Sequence, residues 1–421
     1  MSNRYVAFGL ATTLALSLAA CAPPAPPRRA TAETTSATMD RPAKKDAAAS
    51  MNVDALLERE STTPLQDFRV RAADGALELH VKAVASPTVK THRREGGSAY
   101  TIATFSIGSD TEVVCNASSS PLDIAHWAED IVKSIHVQLA TAPSVRVEAP
   151  ESRPLMFIDT DGAYKDEKDG LTKRNIAKFA GVHFDGGSVT CVHDGVGYRK
   201  TFHDVMSHIA VKTQSPNAPR PTFRQVTTIH EGDKTLGFSY RQRWEGAKKG
   251  EWHEGELGSV ILHDDHSWAA GDSGWHGVVD AKGVVSERAM KRVGAITWVD
   301  MTLERKTPTT YAFDGTVHGV AKRGTFTTRS PLVTSLSRTP LLLGLMKDPK
   351  KAEVTFFHFD ESDPEKGAIK ETARRAGPTT VRLEENGKIY DATIDARGVL
   401  VRFQGDGGPH TWRELASEGS P

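Results

Sequence analysis

The chain alternates between apolar and polar residues over much of its length, and this pattern predicts β-strands. Residues 68–71 and 77–81 alternate in this way, and Asp74-Gly75 between them is typical of a tight hairpin turn. The other strands predicted in the first half are 100–107, 111–115, 176–184 and 188–191.

Beyond residue 222 the alternation recurs in one strand after another, with glycines at the intervening turns. Glu385-Asn386-Gly387 is the strongest of the hairpin signals. Serial strands of this kind indicate an antiparallel sheet with one solvated face. The predicted strands are 223–229, 235–244, 256–262, 275–279, 294–303, 309–313, 319–328, 353–359, 379–383, 388–394 and 398–403.

A helical period replaces the alternation in two segments of the first half, 122–139 and 198–211. Each follows predicted strands and a cysteine, so an internal repeat and a coincidence of two β-to-α transitions both account for the pattern. A short third helix is predicted at 341–346. The apolar positions of the first two helices are Ile124, Trp127, Ile131, Ile135 and Leu139, and Phe202, Val205, Met206 and Ile209.

These elements predict an α+β fold that is rich in β-structure. The chain has 421 residues, more than one hydrophobic core usually serves, and 213–221 (TQSPNAPRP) has the composition of a linker. We therefore expect a small α+β domain at 53–212 and a mostly antiparallel β domain at 222–412, built as a curved sheet or half-barrel. Residues 413–421 are expected to form a disordered tail.

The first 52 residues carry targeting signals. Arg4 and the apolar run at 6–18 form a secretory signal, which is too short for a membrane-spanning helix. Leu18-Ala19-Ala20-Cys21 resembles the lipobox of bacterial lipoproteins. The resemblance implies cleavage after residue 20 and a lipid on Cys21; the alternative is an ordinary signal peptide with Cys21 incidental. Residues 21–52, rich in proline, alanine and threonine, predict a disordered tether.

The same resemblance implies a location. Lipoproteins retained in the inner membrane often carry aspartate after the lipidated cysteine, and this chain has Ala22. We therefore expect a cell-envelope protein that is anchored in the outer membrane through Cys21 and faces the periplasm.

The charge balance limits the class of binding partner, and the cysteine count bears on disulfide formation. Lysine plus arginine and aspartate plus glutamate each number 53, and this balance argues against a nucleic-acid binder. If Cys21 carries lipid, Cys115 and Cys191 remain as a pair in an oxidising compartment. A disulfide between them and two separate buried thiols both fit the sequence.

Two segments contain candidate chemistry. Gly271-Asp272-Ser273-Gly274 matches the residues around the nucleophile of chymotrypsin-like serine proteases, which makes Ser273 a candidate. The chain departs from that family because no Ala-Ala-His-Cys lies upstream and Trp275-His276 follows, so a polar turn is the preferred interpretation.

The second segment is rich in histidine. His263 and His266, with His276 nearby, offer imidazole ligands for zinc or another transition metal. On a strand His263 and His266 would face opposite sides, so a chelate requires a turn; a solvated loop is the alternative. No cofactor is predicted.

The second half is similar to periplasmic domains that wrap a curved antiparallel sheet around a helix, the half-barrel of lipoprotein carriers. The similarity rests on the serial strands at 223–403 and the apolar stretch at 341–346. We expect a noncatalytic envelope lipoprotein that binds a lipid, another apolar ligand or an envelope partner. One alternative is an envelope hydrolase that uses 253–276, and another is a structural or assembly protein without ligand.

Overall fold

The computed structural model describes twelve stretches of the chain: 58–72, 77–93, 99–109, 111–118, 144–165, 172–184, 187–194, 197–213, 221–263, 268–293, 296–405 and 410–421. The signal, Cys21, the tether, the predicted helix at 122–139, most of the linker and His266 lie outside these residues. In the described ranges, no helix has the length and apolarity needed to cross a membrane.

In the described residues of the first half there are ten strands and one α-helix, α1 (Arg199–His208), with a short 3-10 turn at Pro150–Ser152. The strands are β1 (Gln66–Arg71), β2 (Leu77–Ala83), β3 (Thr88–Arg93), β4 (Ala99–Gly108), β5 (Thr111–Ser118), β6 (Ser144–Glu148), β7 (Leu155–Lys165), β8 (Thr172–Phe184), β9 (Gly187–Asp194) and β10 (Ala210–Thr213).

These strands form two antiparallel sheets. One has the order β1-β2-β10, in which β1 and β2 pair as predicted, with Phe68 opposite Val81; the predicted Asp74-Gly75 turn lies outside the described residues. The other has the order β3-β4-β5-β9-β8-β7-β6. The apolar stripe of α1, Phe202, Val205 and Met206, is buried in a core shared with both sheets. The second predicted helix is therefore confirmed, although it ends earlier and residues 210–213 pair as a strand.

The described part of the second half forms one antiparallel sheet of fourteen strands, with a crossover that contains one α-helix, α2 (Thr339–Lys347). A short 3-10 turn lies at Pro364–Lys366. The strands are β11 (Phe223–Glu231), β12 (Lys234–Glu245), β13 (Trp252–His263), β14 (Trp268–Asp280), β15 (Gly283–Val293), β16 (Ile296–Thr307), β17 (Thr310–Val317), β18 (Val320–Thr327), β19 (Glu353–Phe359), β20 (Ala368–Arg375), β21 (Thr380–Glu385), β22 (Lys388–Ile394), β23 (Leu400–Gly405) and β24 (His410–Gly419).

The chain visits these strands in two meanders. Strands β11 to β18 follow one another outward, the crossover leads to β19, and β19 to β24 return until β24 pairs with β11. The prediction of a mostly antiparallel β structure is confirmed. Strands β15 and β20 were not predicted, because charged residues occupy buried positions in both and interrupt the apolar alternation.

The sheet curls around its own crossover. Thr334 donates a hydrogen bond to Glu254 of β13, and Arg338 pairs with Glu371 of β20 at 3.1 Å. These strands are seven positions apart in the sheet, which is about 34 Å if the sheet were flat. The backbone of the crossover spans an even wider gap, because Val284 of β15 donates to Leu332 and the next residue, Val333, donates to Phe357 of β19. Strands β15 and β19 are ten positions apart in the sheet, so the sheet is strongly curved.

A further buried cluster joins the two halves of the chain. Met156 and Ile158 of β7 pack against apolar residues of β11, β12 and β13 in the large sheet, on the face opposite the crossover. The residues on either side of the predicted linker therefore share a core.

The prediction of a disordered tail at 413–421 is wrong. Residues 410–419 form β24, which pairs with β11 on one side and with β23 on the other. Gln225 donates to Glu414 at 2.7 Å, and Arg224 donates to Glu418 at 2.8 Å. The strand was not predicted because its residues are mostly polar. Backbone pairing and side-chain ion pairs hold it in place.

Candidate functional site

The two cysteines predicted as a pair are bonded. Cys115 of β5 lies opposite Cys191 of β9, with 4.0 Å between their Cα atoms, and the side chains form a disulfide. Both residues are buried in the core that contains α1. The bridge is confirmed over the alternative of two separate thiols, and its position inside the core indicates a structural role.

Ser273 lies on a strand, and the described residues place no catalytic triad around it. It lies opposite Gly258 and Lys291 in the middle of β14, whereas the preferred interpretation placed it in a turn. His276 is three residues further along the same strand and therefore points to the opposite face. No hydrogen bond joins Ser273 to a histidine within the described residues, so the protease-like arrangement is absent there.

Of the histidines predicted to bind metal, His263 and His276 lie far apart, and His266 lies outside the described residues. His263 ends β13 opposite Trp268, whereas His276 lies eight residues beyond Trp268 on β14. Eight residues of strand extend about 26 Å, so His263 and His276 cannot share one ion. His276 instead contacts His253, with 3.1 Å between Nε2 and Nδ1, and both rings stack on Trp244.

Charged side chains line the side of the large sheet that faces the crossover. Glu254 is fully buried, lies 3.6 Å from Nε of Arg243 and accepts a hydrogen bond from Thr334. Glu256 pairs with Arg241 at 3.0 Å and accepts from Ser239 at 2.7 Å. The interior of this sheet is thus polar next to the crossover, and each of these acids has a named partner.

A second polar group in the same interior involves β15 and the turn after β19. Nζ of Lys291 lies 2.9 Å from Glu361 and donates to Ser362 at 2.8 Å. Burial, followed by the negative charge of Glu361, raises the pKa of Glu287 to about 8. Glu287 is therefore largely protonated at neutral pH. Lys291 pairs with the negative charge of Glu361.

The most compact cluster lies on β19, β20 and β21, below the start of α2. His358, Glu371 and Glu385, termed the His-Glu-Glu cluster, have one nitrogen and two carboxylate oxygens within 4.8 Å of one another. Nε2 of His358 lies 3.7 Å from Oε1 of Glu385, and Nδ1 lies 3.7 Å from Oε2 of Glu371. All three residues are at most 3% exposed.

Two residues from neighbouring elements complete the surroundings. Arg338 donates to both carboxylate oxygens of Glu371, at 3.1 and 3.3 Å. Tyr390 of β22 is also buried, and its pKa is raised by burial and by the nearby Glu385 and Glu371. The cluster therefore combines two acids, one arginine, one phenol and one imidazole, all of them buried.

Burial determines the protonation of the cluster. Desolvation, followed by the positive charge of Arg338, lowers the pKa of His358 to about 3, so the imidazole is neutral at neutral pH. Burial also raises the pKa of Glu371, and Arg338 opposes this shift. Among the described residues, Nε2 of His358 has no hydrogen-bond partner.

Sequence reasoning missed this cluster. Its members lie on three strands and are separated by 13 or 14 residues, so no local spacing motif connects them. The available signal was a polar residue at a position whose strand neighbours two residues away are apolar, as at Glu371 between Ile369 and Ala373.

Comparisons of the chain with protein-family models, with curated proteins and with solved structures find no match.

Proposed function

We propose that the chain is a lipid-anchored lipoprotein of the cell envelope that binds an acyl chain of a membrane lipid between α2 and the curved sheet. The observation that carries this proposal is the position of α2. Leu342 and Leu345 are buried against apolar residues of the sheet, while Leu341, Leu343 and Met346 are only half-buried. An apolar helix over an apolar sheet is an arrangement that an acyl chain can enter if the helix moves.

The attachment of α2 is consistent with a movable cover. The helix has nine residues, too few to be stable without its contacts. Arg338 ties its start to Glu371, and Arg375 donates to the carbonyl oxygens of Leu345 and Asp348 at its end. Displacement of α2 would uncover a groove lined by Phe356, Leu383 and other apolar residues of the sheet.

The anchor and the location remain part of the proposal. The lipobox-like Leu18-Ala19-Ala20-Cys21 supports a lipid on Cys21, and Ala22 supports the periplasmic face of the outer membrane. The architecture supports a half-barrel like that of lipoprotein carriers, because a single antiparallel sheet encloses one crossover helix. Wild-type protein should fractionate with membranes, whereas Cys21→Ala protein should be released; retention of the variant would contradict the anchor.

We also propose that residues 53–212 form the α+β unit expected from the sequence. The core of α1 with β2, β4, β5 and β9 lies entirely within this segment and supports its separate assembly. Limited proteolysis should cut first within 214–220 and leave a resistant N-terminal fragment.

Arg375 allows a direct test of lipid binding. Arg375→Ala removes the contacts at the end of α2, so it should increase uptake of a fluorescent fatty acid several-fold. Arg374→Ala is the matched control, because the adjacent Arg374 is exposed and pairs with Glu353 and Glu384 on the other face. Native mass spectrometry of the detergent-extracted full chain should show a bound lipid.

Two results would contradict lipid binding. If neither wild-type protein nor Arg375→Ala takes up the probe and no lipid is extracted with the chain, a structural or assembly role is favoured. If both arginine variants behave alike, α2 is not the cover. The envelope-hydrolase alternative has no support from the positions of Ser273, His263 and His276.

A further inference from the structure

The His-Glu-Glu cluster has a donor set that is unusual for a purely structural polar group. One neutral imidazole and two carboxylates converge, and His358 has a buried Nε2 without a hydrogen bond among the described residues. An unpaired buried nitrogen destabilises the fold, because it has lost its hydrogen bond to water without gaining another. This nitrogen lies 3.7 Å from Oε1 of Glu385, and Glu371 lies beside Nδ1 of the same ring, so the cluster has room for a ligand that all three side chains contact.

We propose that His358, Glu371 and Glu385 bind a divalent transition-metal ion, with Zn²⁺ as the best fit. The imidazole distinguishes this site from calcium and magnesium sites, which prefer oxygen ligands only. Zinc accepts mixed histidine and carboxylate ligands in tetrahedral geometry. Tyr390 and water are the groups able to complete the coordination.

The distances need little adjustment to hold zinc. Zinc bonds of about 2.0–2.2 Å in a tetrahedron separate neighbouring ligand atoms by roughly 3.4 Å. The distance from Nε2 of His358 to Oε1 of Glu385 is 3.7 Å, and all three ligand atoms lie within 4.8 Å. Small side-chain rotations therefore bring the three groups to bonding distance.

Arg338 acts as an orienting partner of one ligand. It donates to Glu371 from the start of α2 and lies 6.0 Å from the centre of the Phe356 ring. Metal ligands are commonly held by such outer hydrogen bonds, which fix their orientation. A bound ion would link β19, β20 and β21 and, through Glu371 and Arg338, would also fix the beginning of α2.

The competing arrangement is a proton in place of the metal. A proton held on one of the two carboxyl groups would reduce the negative charge of the cluster without an ion. The two arrangements differ in metal content and in the response of stability to added zinc, so both can be measured. The metal site is independent of the lipid proposal, because its test uses neither lipid nor the movement of α2.

The experiment uses the full chain purified without a histidine tag, with metal measured by elemental analysis. Wild-type protein should contain stoichiometric zinc. Chelation should lower its melting temperature, and Zn²⁺ should restore it, because a ligand that binds only the folded state stabilises that state. Glu385→Gln keeps the side-chain volume and should lose both the zinc and the response.

Matched variants distinguish zinc bound at this cluster from zinc bound elsewhere on the chain. Glu384→Gln changes the neighbouring residue, which accepts a hydrogen bond from Arg374 on the other face, and should retain zinc. His358→Gln should lose zinc, whereas His410→Gln, at another buried histidine, should retain it. Circular dichroism of each variant separates loss of the ion from loss of the fold.

Two results would overturn the proposal. The first is wild-type protein with clearly substoichiometric metal and no thermal response to Zn²⁺, which would favour the metal-free cluster with a protonated carboxyl group. The second is folded Glu385→Gln and His358→Gln protein that retains zinc at the wild-type level, because the ion would then lie elsewhere.

Discussion

At the scale of single residues, buried acids distinguish this protein from an ordinary β-sheet protein. Asp272 is 1% exposed on the face of β14 that is directed away from the crossover. Its cross-strand neighbours are Ser259 and Arg292. Burial raises its pKa to about 7, with Ser259 and Arg292 opposing the shift. Its ionisation therefore lowers the stability of the fold.

We predict that Asp272 makes stability fall as the pH rises. The folded state holds the Asp272 proton up to about pH 7, whereas the unfolded state releases it near pH 4. The penalty is absent below about pH 4, grows between these values and is complete above about pH 7. At about 1.4 kcal/mol per pKa unit, it reaches at most about 4 kcal/mol.

Asp272→Asn should remove this dependence. Urea unfolding of wild-type and variant protein between pH 4 and pH 8 should show the variant gaining relative stability as the pH rises. A stability difference that stays constant across this range would show that burial does not raise the pKa of Asp272.

At the scale of elements, turns and the crossover helix follow local rules. Asn386 and Gly387 have φ of 49° and 75°, as the two-residue turn of the β21–β22 hairpin requires, which confirms the strongest turn signal in the sequence. The short helix predicted at 341–346 is confirmed as α2 with a wider range. What α2 packs against was not predictable from its own residues.

Two glycines near α2 should respond in opposite ways to substitution by alanine. At Gly344, within α2, a Cβ atom would have no neighbour within 4 Å, so Gly344→Ala should stabilise by about 0.5–1 kcal/mol. At Gly398 φ is +83°, and a Cβ atom would lie 2.9 Å from both Cβ of Leu343 and O of Thr339. Gly398→Ala should therefore destabilise by about 1–3 kcal/mol.

Urea unfolding of the two alanine variants measures both effects. Equal and small effects would contradict the close contact between the turn at Gly398 and α2.

At the scale of the whole molecule, the large sheet depends on a pairing between its first and last strands in sequence. β11 follows the linker, β24 is the last strand of the chain, and the two lie side by side near the middle of the sheet. Pairing of strands so distant in sequence is slow to form because it requires closure of a long loop. The C-terminal residues are consequently essential to the fold.

We predict that truncation after Trp412 abolishes the folded state. The deletion removes most of β24 and leaves one side of β11 unpaired from Phe223 to Thr228. Deletion of residues 420–421 alone is the control and should have little effect. Protease resistance and cooperative thermal unfolding measure both; a truncated protein that resists proteolysis as wild type does would contradict the central position of β24.

The sequence by itself determined much of the local structure. Apolar alternation identified most strands, the three- and four-residue period identified α1, and the turn residues identified two hairpins. In the first half β3, β6 and β7 were not predicted and β10 was predicted as helix. In the second half alternation failed at β15, β20 and β24, where Glu287, Glu371 and Glu414 occupy positions that an apolar pattern would fill. These charged residues, at positions where apolar residues are usual, form part of the polar interior.

Only the tertiary structure decided which distant residues meet. The register of β14 separated Ser273 from His276, and β5 and β9 brought Cys115 opposite Cys191. The His-Glu-Glu cluster exists because the return meander aligns β19, β20 and β21. The local sequence determines which face of its strand each side chain points to. Contacts between strands depend on the register of pairing across the whole sheet, and no local pattern contains that information.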